Sequence, residues 1–278
     1  MACFHPLPAW RSHAGAVRLG APGPLSRCVE YLCLPCGSCH GCRARRARDW
    51  AIRCQLESAE HVDQCWCTLT YDDVHLPPTL QKDHLSGWLK RLRARVHPRS
   101  VRFFACGEYG ERTNRPHYHS ILFGLRESAA RVIQDTWPHG FARTDRLTPA
   151  AIAYVAGYSS KKLGWSSNLR GEQVDPATGE AYEYQPPFVQ MSRRPGIGGA
   201  ARRFVSSWRK HAILDGRAVG VPRYLHEAWV KQATDAELDS LRSEFRALFR
   251  RERTKAELHA AELHSVSRQL ISSSARTL

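Results

Sequence analysis

One stretch constrains the chain more than any other: Arg115-Pro116-His117-Tyr118-His119-Ser120-Ile121-Leu122-Phe123-Gly124. Tyr118, Ile121, Leu122 and Phe123 favour extended backbone, and Gly124 ends the run, so it reads as a β-strand. Side chains alternate across a strand, so His117 and His119 point to the same face. Two imidazoles on one rigid face make a bidentate seat for a divalent metal. A pair of packed or surface histidines has the same spacing, so the surrounding chain has to decide between the two.

The 278 residues allow one large domain, or one medium domain with appendages. A hydrophobic fraction of 42% is enough for a packed core and excludes a disordered chain. Lys and Arg number 41 against 26 Asp and Glu, a formal net charge of +15, which suits a polyanionic partner, nucleic acid above all. No apolar run is long enough to span a membrane, and no secretory signal precedes the first cysteines. The compartment expected is therefore cytosolic and reducing. There the ten cysteines read as thiols or metal ligands rather than a disulfide frame.

Residues 1–32 carry Gly and Pro without a period and read as a mostly irregular arm, with a short strand near Val29–Leu34. Cys33, Cys36, Cys39 and Cys42 follow at three-residue spacing and form a candidate zinc site, with His40 and Cys54 as further donors and an iron–sulfur cluster as the rival. Residues 43–62 predict a helix dense in arginine; Arg43, Arg45 and Arg46 are candidates for a phosphate backbone. Residues 64–71 alternate as a strand. Residues 79–96 predict a helix with Leu85, Trp88, Leu89, Leu92 and Val96 on its core face. A strand over 102–106 and the His-x-His strand read as a hairpin. A short helix over 127–137, a strand over 141–147 and a helix from Thr148-Pro149 come next. Residues 164–187 read as an excursion or mobile loop, and 188–191 as a strand. Ser192-Arg193-Arg194-Pro195-Gly196-Ile197-Gly198-Gly199 reads as a basic turn whose amides, with Arg193 and Arg194, suit phosphate. Helix returns from Thr234, and the Ser-rich last ten residues read as frayed.

The order β-α-β-β-α-β-α-β between 64 and 192 predicts an α+β fold: an antiparallel sheet flanked by helices. Glu108 lies on or just beyond the strand that pairs with the His-x-His strand and completes a three-ligand metal site, with Glu111 as the rival. Tyr154 and Tyr158 are four apart on one helix, so they share a face, with Lys161 and Lys162 beyond them. Gly157 leaves room for something to approach the helix between the tyrosines. Metal, tyrosines and a basic surface together point to attack on a phosphodiester.

His117-Tyr118-His119 resembles the HUH motif of the HUH endonuclease superfamily. Cys67-Thr68-Leu69-Thr70-Tyr71 resembles its first strand motif, and Tyr154-Val155-Ala156-Gly157-Tyr158-Ser159-Ser160-Lys161 its two-tyrosine motif. Pro35-Cys36-Gly37-Ser38-Cys39, Trp50-Ala51-Ile52-Arg53-Cys54, Cys106-Gly107-Glu108-Tyr109-Gly110 and Met191-Ser192-Arg193-Arg194-Pro195-Gly196-Ile197-Gly198 are similar to replication initiation proteins of small single-stranded DNA phages of the microvirus group, gokushovirus-like members especially. These matches span residues 33–200.

The resemblance implies a rolling-circle initiator with a ferredoxin-like or RRM-like palm. Such a protein nicks and rejoins origin DNA through a 5′-phosphotyrosine. It implies Mg²⁺ or Mn²⁺ held by His117, His119 and Glu108, and catalysis by Tyr154, Tyr158, Lys161 and Lys162. It also implies single-stranded origin DNA and the double-stranded replicative form as substrates, host polymerase and helicase as partners, and the host cytoplasm as the place of action. The domains expected are 1–62 (arm, Cys-rich knuckle and basic helix), 63–215 (endonuclease) and 216–278 (helical C-terminal extension). Two rival readings are a two-tyrosine transposase or relaxase, and a non-enzymatic zinc-containing nucleic-acid binder.

Overall fold

The computed structural model describes residues 3–23, 27–161, 172–174, 179–214, 216–248 and 254–274. In chain order the strands and α-helices are β1 (Leu7–Ser12), β2 (Val17–Leu19), β3 (Cys28–Leu34), α1 (His40–Ser58), β4 (Gln64–Tyr71), α2 (Lys82–Val96), β5 (Arg102–Tyr109) and β6 (Pro116–Phe123). There follow α3 (Ala130–Asp135), β7 (Gly140–Arg146), α4 (Pro149–Lys161), β8 (Glu172–Val174), β9 (Ala181–Glu183), β10 (Phe188–Met191), β11 (His211–Leu214), β12 (Arg217–Gly220), α5 (Arg223–Val230), α6 (Asp235–Leu248) and α7 (Lys255–Ser274). The chain divides into two compact units, residues 1–46 with 235–278, and residues 47–234.

The second unit carries the α+β fold. Its five-stranded sheet has the order β10-β5-β6-β4-β7, antiparallel at every pairing. Period-2 alternation gives the sheet two apolar faces. Cys65, Cys67, Leu69, Phe103, Ala105, Tyr118 and Leu122 join one core with Leu85, Trp88, Leu89 and Leu92 of α2 and Ile133 of α3. Each fully buried side chain of this size contributes about 1.5–3 kcal/mol. Phe104, Cys106, Ile121 and Phe123 face the other way, against Cys54 of α1, Ile152 and Val155 of α4, and Ile197. The N-cap of α4 is as the sequence predicts: Ala151 N–H donates to Thr148 Oγ1 at 3.1 Å.

The structure corrects several expectations. The N-terminal arm is a three-stranded antiparallel sheet, β2-β1-β3, rather than irregular chain. β5 runs on to Tyr109, so Glu108 lies on the strand. Within the stretch read as a loop, β8 and β9 form a hairpin. α7 stays helical to Ser274, where fraying was expected, and Thr254 and Glu257 cap its start reciprocally. The basic turn after β10 does not offer its glycine amides to a ligand. Gly198 N–H donates to Glu57 Oε2 at 2.7 Å and Gly199 N–H to the Gly196 carbonyl at 2.8 Å. Gly198 sits at φ +70°, and a Cβ there would stand 2.9 Å from the Arg53 carbonyl oxygen, which explains a glycine at this position. Buried Glu57 also pairs with Arg102, whose Nη2 donates to the Pro195 carbonyl at 2.8 Å.

Candidate active site

The register of β5 and β6 sets Glu108 directly across from His117, with His119 across from Cys106. All three acidic and imidazole side chains therefore lie on the sheet face that α4 covers. Tyr118, between the histidines, points to the opposite core, where its hydroxyl lies 2.7 Å from the Tyr71 hydroxyl and donates to the Gln81 carbonyl at 2.8 Å. Glu111 is not one of the three donors.

Glu108 Oε1 lies 2.9 Å from His117 Nε2 and 3.0 Å from His119 Nε2. Glu108 and His119 are buried, and His117 is partly open. His117 Nδ1 is 3.1 Å from the Arg115 carbonyl, which can only accept, so the ring proton is assigned to Nδ1 and the Nε2 lone pair faces Glu108. A lone pair against a carboxylate oxygen repels unless a cation stands between them. The donor set of one carboxylate and two imidazoles thus fits a divalent ion, held by Glu108, His117 and His119. Thr68 Oγ1 lies 2.9 Å from His119 Nδ1 and orients that ring. Sequence reasoning missed this role of Thr68, although the strand pattern carries the signal: Thr68 pairs with His119 in the register of β4 and β6.

Helix α4 lays both tyrosines beside this triad. The Tyr158 ring stacks on His119 with centroids 5.3 Å apart and planes 11° off parallel. The Tyr154 ring meets His119 edge-on at 5.3 Å and Tyr158 at 4.9 Å. Trp66, also missed at the level of sequence, completes the wall 6.1 Å from Tyr154. Their exposures separate the pair: Tyr158 is 9% exposed and Tyr154 is 49%. Burial, the adjoining Tyr154 hydroxyl and the Glu108 charge hold the Tyr158 phenol well above the ordinary tyrosine range. No atom of the chain stands within 4 Å of where a Gly157 Cβ would be, so that side of α4 is open among the described residues.

The remaining predicted residues are spread more widely. Lys162 lies outside the described residues, and of Lys161 only the backbone at the end of α4 is described. Arg193 and Arg194 are exposed on the turn after β10 in the second unit. Arg45 and Arg46 are exposed and Arg43 half-buried on α1 in the first. Of the cysteines, Cys36, Cys39 and Cys42 converge, but the fourth thiol with them is Cys3 rather than Cys33, which is exposed on β3. Cys54 is fully buried in the core of the second unit.

Residues 64–163, which hold the triad and both tyrosines, match the family model of replication-associated protein ORF2. The chain is 28% identical to the replication-associated protein VP4 of Bdellovibrio phage phiMH2K, over 84% of this chain and 78% of that one. It is 27% identical to the replication-associated protein ORF4 of Chlamydia phage 1, over 74% of this chain. It is 26% identical to the replication-associated protein ORF2 of Spiroplasma virus 4, over 69% of this chain. The chain spans 56% of the Chlamydia phage protein's length and 64% of the Spiroplasma virus protein's. The Bdellovibrio phage match extends beyond residues 33–200, so the likeness also takes in part of the termini. No solved structure matches the chain significantly. With its α+β architecture and its match across residues 64–163, the chain belongs with the phage replication-associated proteins.

Proposed function

We propose that the chain is a rolling-circle replication initiator that nicks and rejoins one strand of DNA at a phage origin through a 5′-phosphotyrosine. The observation that carries this reading is the Tyr158 ring stacked on His119 beside Glu108, with Tyr154 at the mouth of the same site. The strand order of β4 to β7 and the two helices between them support a ferredoxin-like palm.

In this reading Glu108, His117 and His119 hold Mg²⁺ or Mn²⁺, which when bound polarises the scissile phosphate and offsets its developing charge. Tyr158 Oη attacks phosphorus, the new P–O bond forms and the P–O3′ bond breaks. The phenol gives up its proton and the departing 3′ oxygen takes one up, so a free 3′-OH is left to prime host polymerase. One phosphodiester is exchanged for another, which leaves the cut reversible. Tyr154, half-exposed one turn away, serves the second transfer that closes the circle. Lys161 and Lys162 follow on the chain, and Arg193, Arg194, Arg43, Arg45 and Arg46 serve the DNA backbone. Single-stranded origin DNA and the double-stranded replicative form are the substrates, a host helicase opens the duplex, and the reaction takes place in the host cytoplasm. A binder that used both tyrosines only to stack on bases would expose both, and Tyr158 is buried.

The test is a set of cleavage assays on oligonucleotides tiled across the encoding genome, with Mg²⁺ or Mn²⁺. Tyr158→Phe is expected to abolish the first cut, whereas Tyr154→Phe retains it and loses transfer to a second strand. If both variants cleave and rejoin like the parent, the tyrosines are not the nucleophiles and the proposal fails.

A further inference from the structure

The cysteine group lies apart from the chemistry proposed for the triad, and it is built from one unit alone. Residues 1–46 and 235–278 contribute no member to either large hydrophobic cluster among the described residues. Their buried apolar side chains are few: Phe4, Ala9, Trp10, Cys39 and Leu241. A unit with so small a core needs another source of cohesion.

Strand pairing explains how that source is assembled. β1 and β3 are antiparallel with Leu7 across from Leu34. The chain just before Leu7 therefore meets the chain just after Leu34, which brings Cys3 to the loop of Cys36 and Cys39 and to Cys42 in the first turns of α1. The four Sγ atoms all lie within 4.8 Å of one another. Cys3 and Cys39 sulfurs are 3.8 Å apart, far beyond a disulfide bond. Zn–S bonds of about 2.3 Å arranged tetrahedrally put neighbouring sulfurs about 3.8 Å apart, so the spacing is that of thiolates sharing one ion. Three backbone amides aim at these sulfurs: Cys36 N–H at Cys3 Sγ (3.2 Å), Cys39 N–H at Cys36 Sγ (3.3 Å) and Phe4 N–H at Cys39 Sγ (3.4 Å). Such donors stabilise sulfur that carries negative charge and do little for a neutral thiol.

We infer that Cys3, Cys36, Cys39 and Cys42 form a tetrahedral structural zinc site that ties the N-terminal segment to the start of α1. Each thiol gives up its proton on binding, so the filled site carries a net charge of two minus. It then faces the N-terminal end of α1 and the arginines that follow Cys42, which offset that charge. Four protein ligands close the coordination sphere, as in structural rather than catalytic zinc sites. An iron–sulfur cluster fits less well: its cysteines each hold a different iron and stand further apart than donors that share a single ion. The soft thiolates also separate this site from the triad, whose carboxylate and imidazoles suit a harder ion, so one chain holds two metals without exchange between them.

The experiment is metal analysis of the full chain, purified without a metal-chelating tag, beside Cys3→Ser, Cys33→Ser and His119→Ala. The parent, Cys33→Ser and His119→Ala are expected to retain about one zinc per chain through gel filtration with EDTA, and Cys3→Ser to lose it. Should Cys3→Ser misfold, Co²⁺ substitution of the parent decides the matter, because four-thiolate tetrahedral cobalt has its own intense charge-transfer and visible bands. Zinc-free parent protein lacking that cobalt spectrum would overturn the inference. So would zinc lost from Cys33→Ser but kept by Cys3→Ser, zinc lost only from His119→Ala, or iron found with inorganic sulfide.

Discussion

At the scale of single residues, the candidate site depends on groups that touch no substrate. Thr68 holds His119 through Nδ1, so its loss frees the ring to turn away from Glu108. Thr68→Val is expected to weaken Mn²⁺ binding by about 10–100-fold, and Thr68→Ser to restore most of it. Isothermal titration of the two variants checks this, and equal affinities in both would show that the contact does no orienting. Burial makes a second residue-scale prediction. It pushes the Cys65 thiol up to about 12, with the Glu127 charge adding to the shift. The thiolate is the reactive form, and a raised pKa leaves almost none of it at pH 8. Iodoacetamide at pH 8 should therefore label exposed Cys33 and spare Cys65 in the folded chain. Mass spectrometry reads the sites, and labelling of Cys65 as fast as Cys33 would contradict the packing.

At the scale of elements, α2 rests on a stripe of four buried side chains, so its faces differ sharply in cost. Leu92→Ala is expected to destabilise the chain by about 2–5 kcal/mol. Lys90→Ala, on the exposed face, should change stability by no more than about 0.5 kcal/mol. Urea unfolding compares the two, and similar midpoints would mean that α2 does not pack as described. This stripe was legible in the sequence because helical spacing and apolar character coincide, as were β4 and β10 through their alternation. β1 and β2 were not, because they are short, half-exposed and interrupted by Gly and Pro. The end of β5 misled for a physical reason. Gly107 reads as a strand stop, yet the strand continues through it, because a Cβ there would stand 2.9 Å from the Phe188 ring of β10. The hairpin register made Glu108 visible as a ligand all the same. Cys3 was hidden, since only the pairing of β1 with β3 brings it to the knuckle 33 residues on.

At the scale of the whole molecule, a formal net charge of +15 sets the expectation for binding. The affinity for single-stranded DNA should fall with salt, with a log–log slope near about −0.7 for each phosphate contacted. Fluorescence anisotropy across a salt series measures this, and salt-independent binding would remove the basic surface from the account. Among the described residues no helix is long and apolar enough to cross a membrane. The central claim concerns a bond rather than an affinity. Incubating the full chain with Mn²⁺ and cleavable single-stranded DNA, digesting it, and identifying the peptide–nucleotide adduct by mass spectrometry names the attacking atom directly. The account predicts a 5′-phosphate on Tyr158, or on Tyr154 after the second transfer. An adduct on any other residue, or cleavage with no covalent adduct at all, would contradict it.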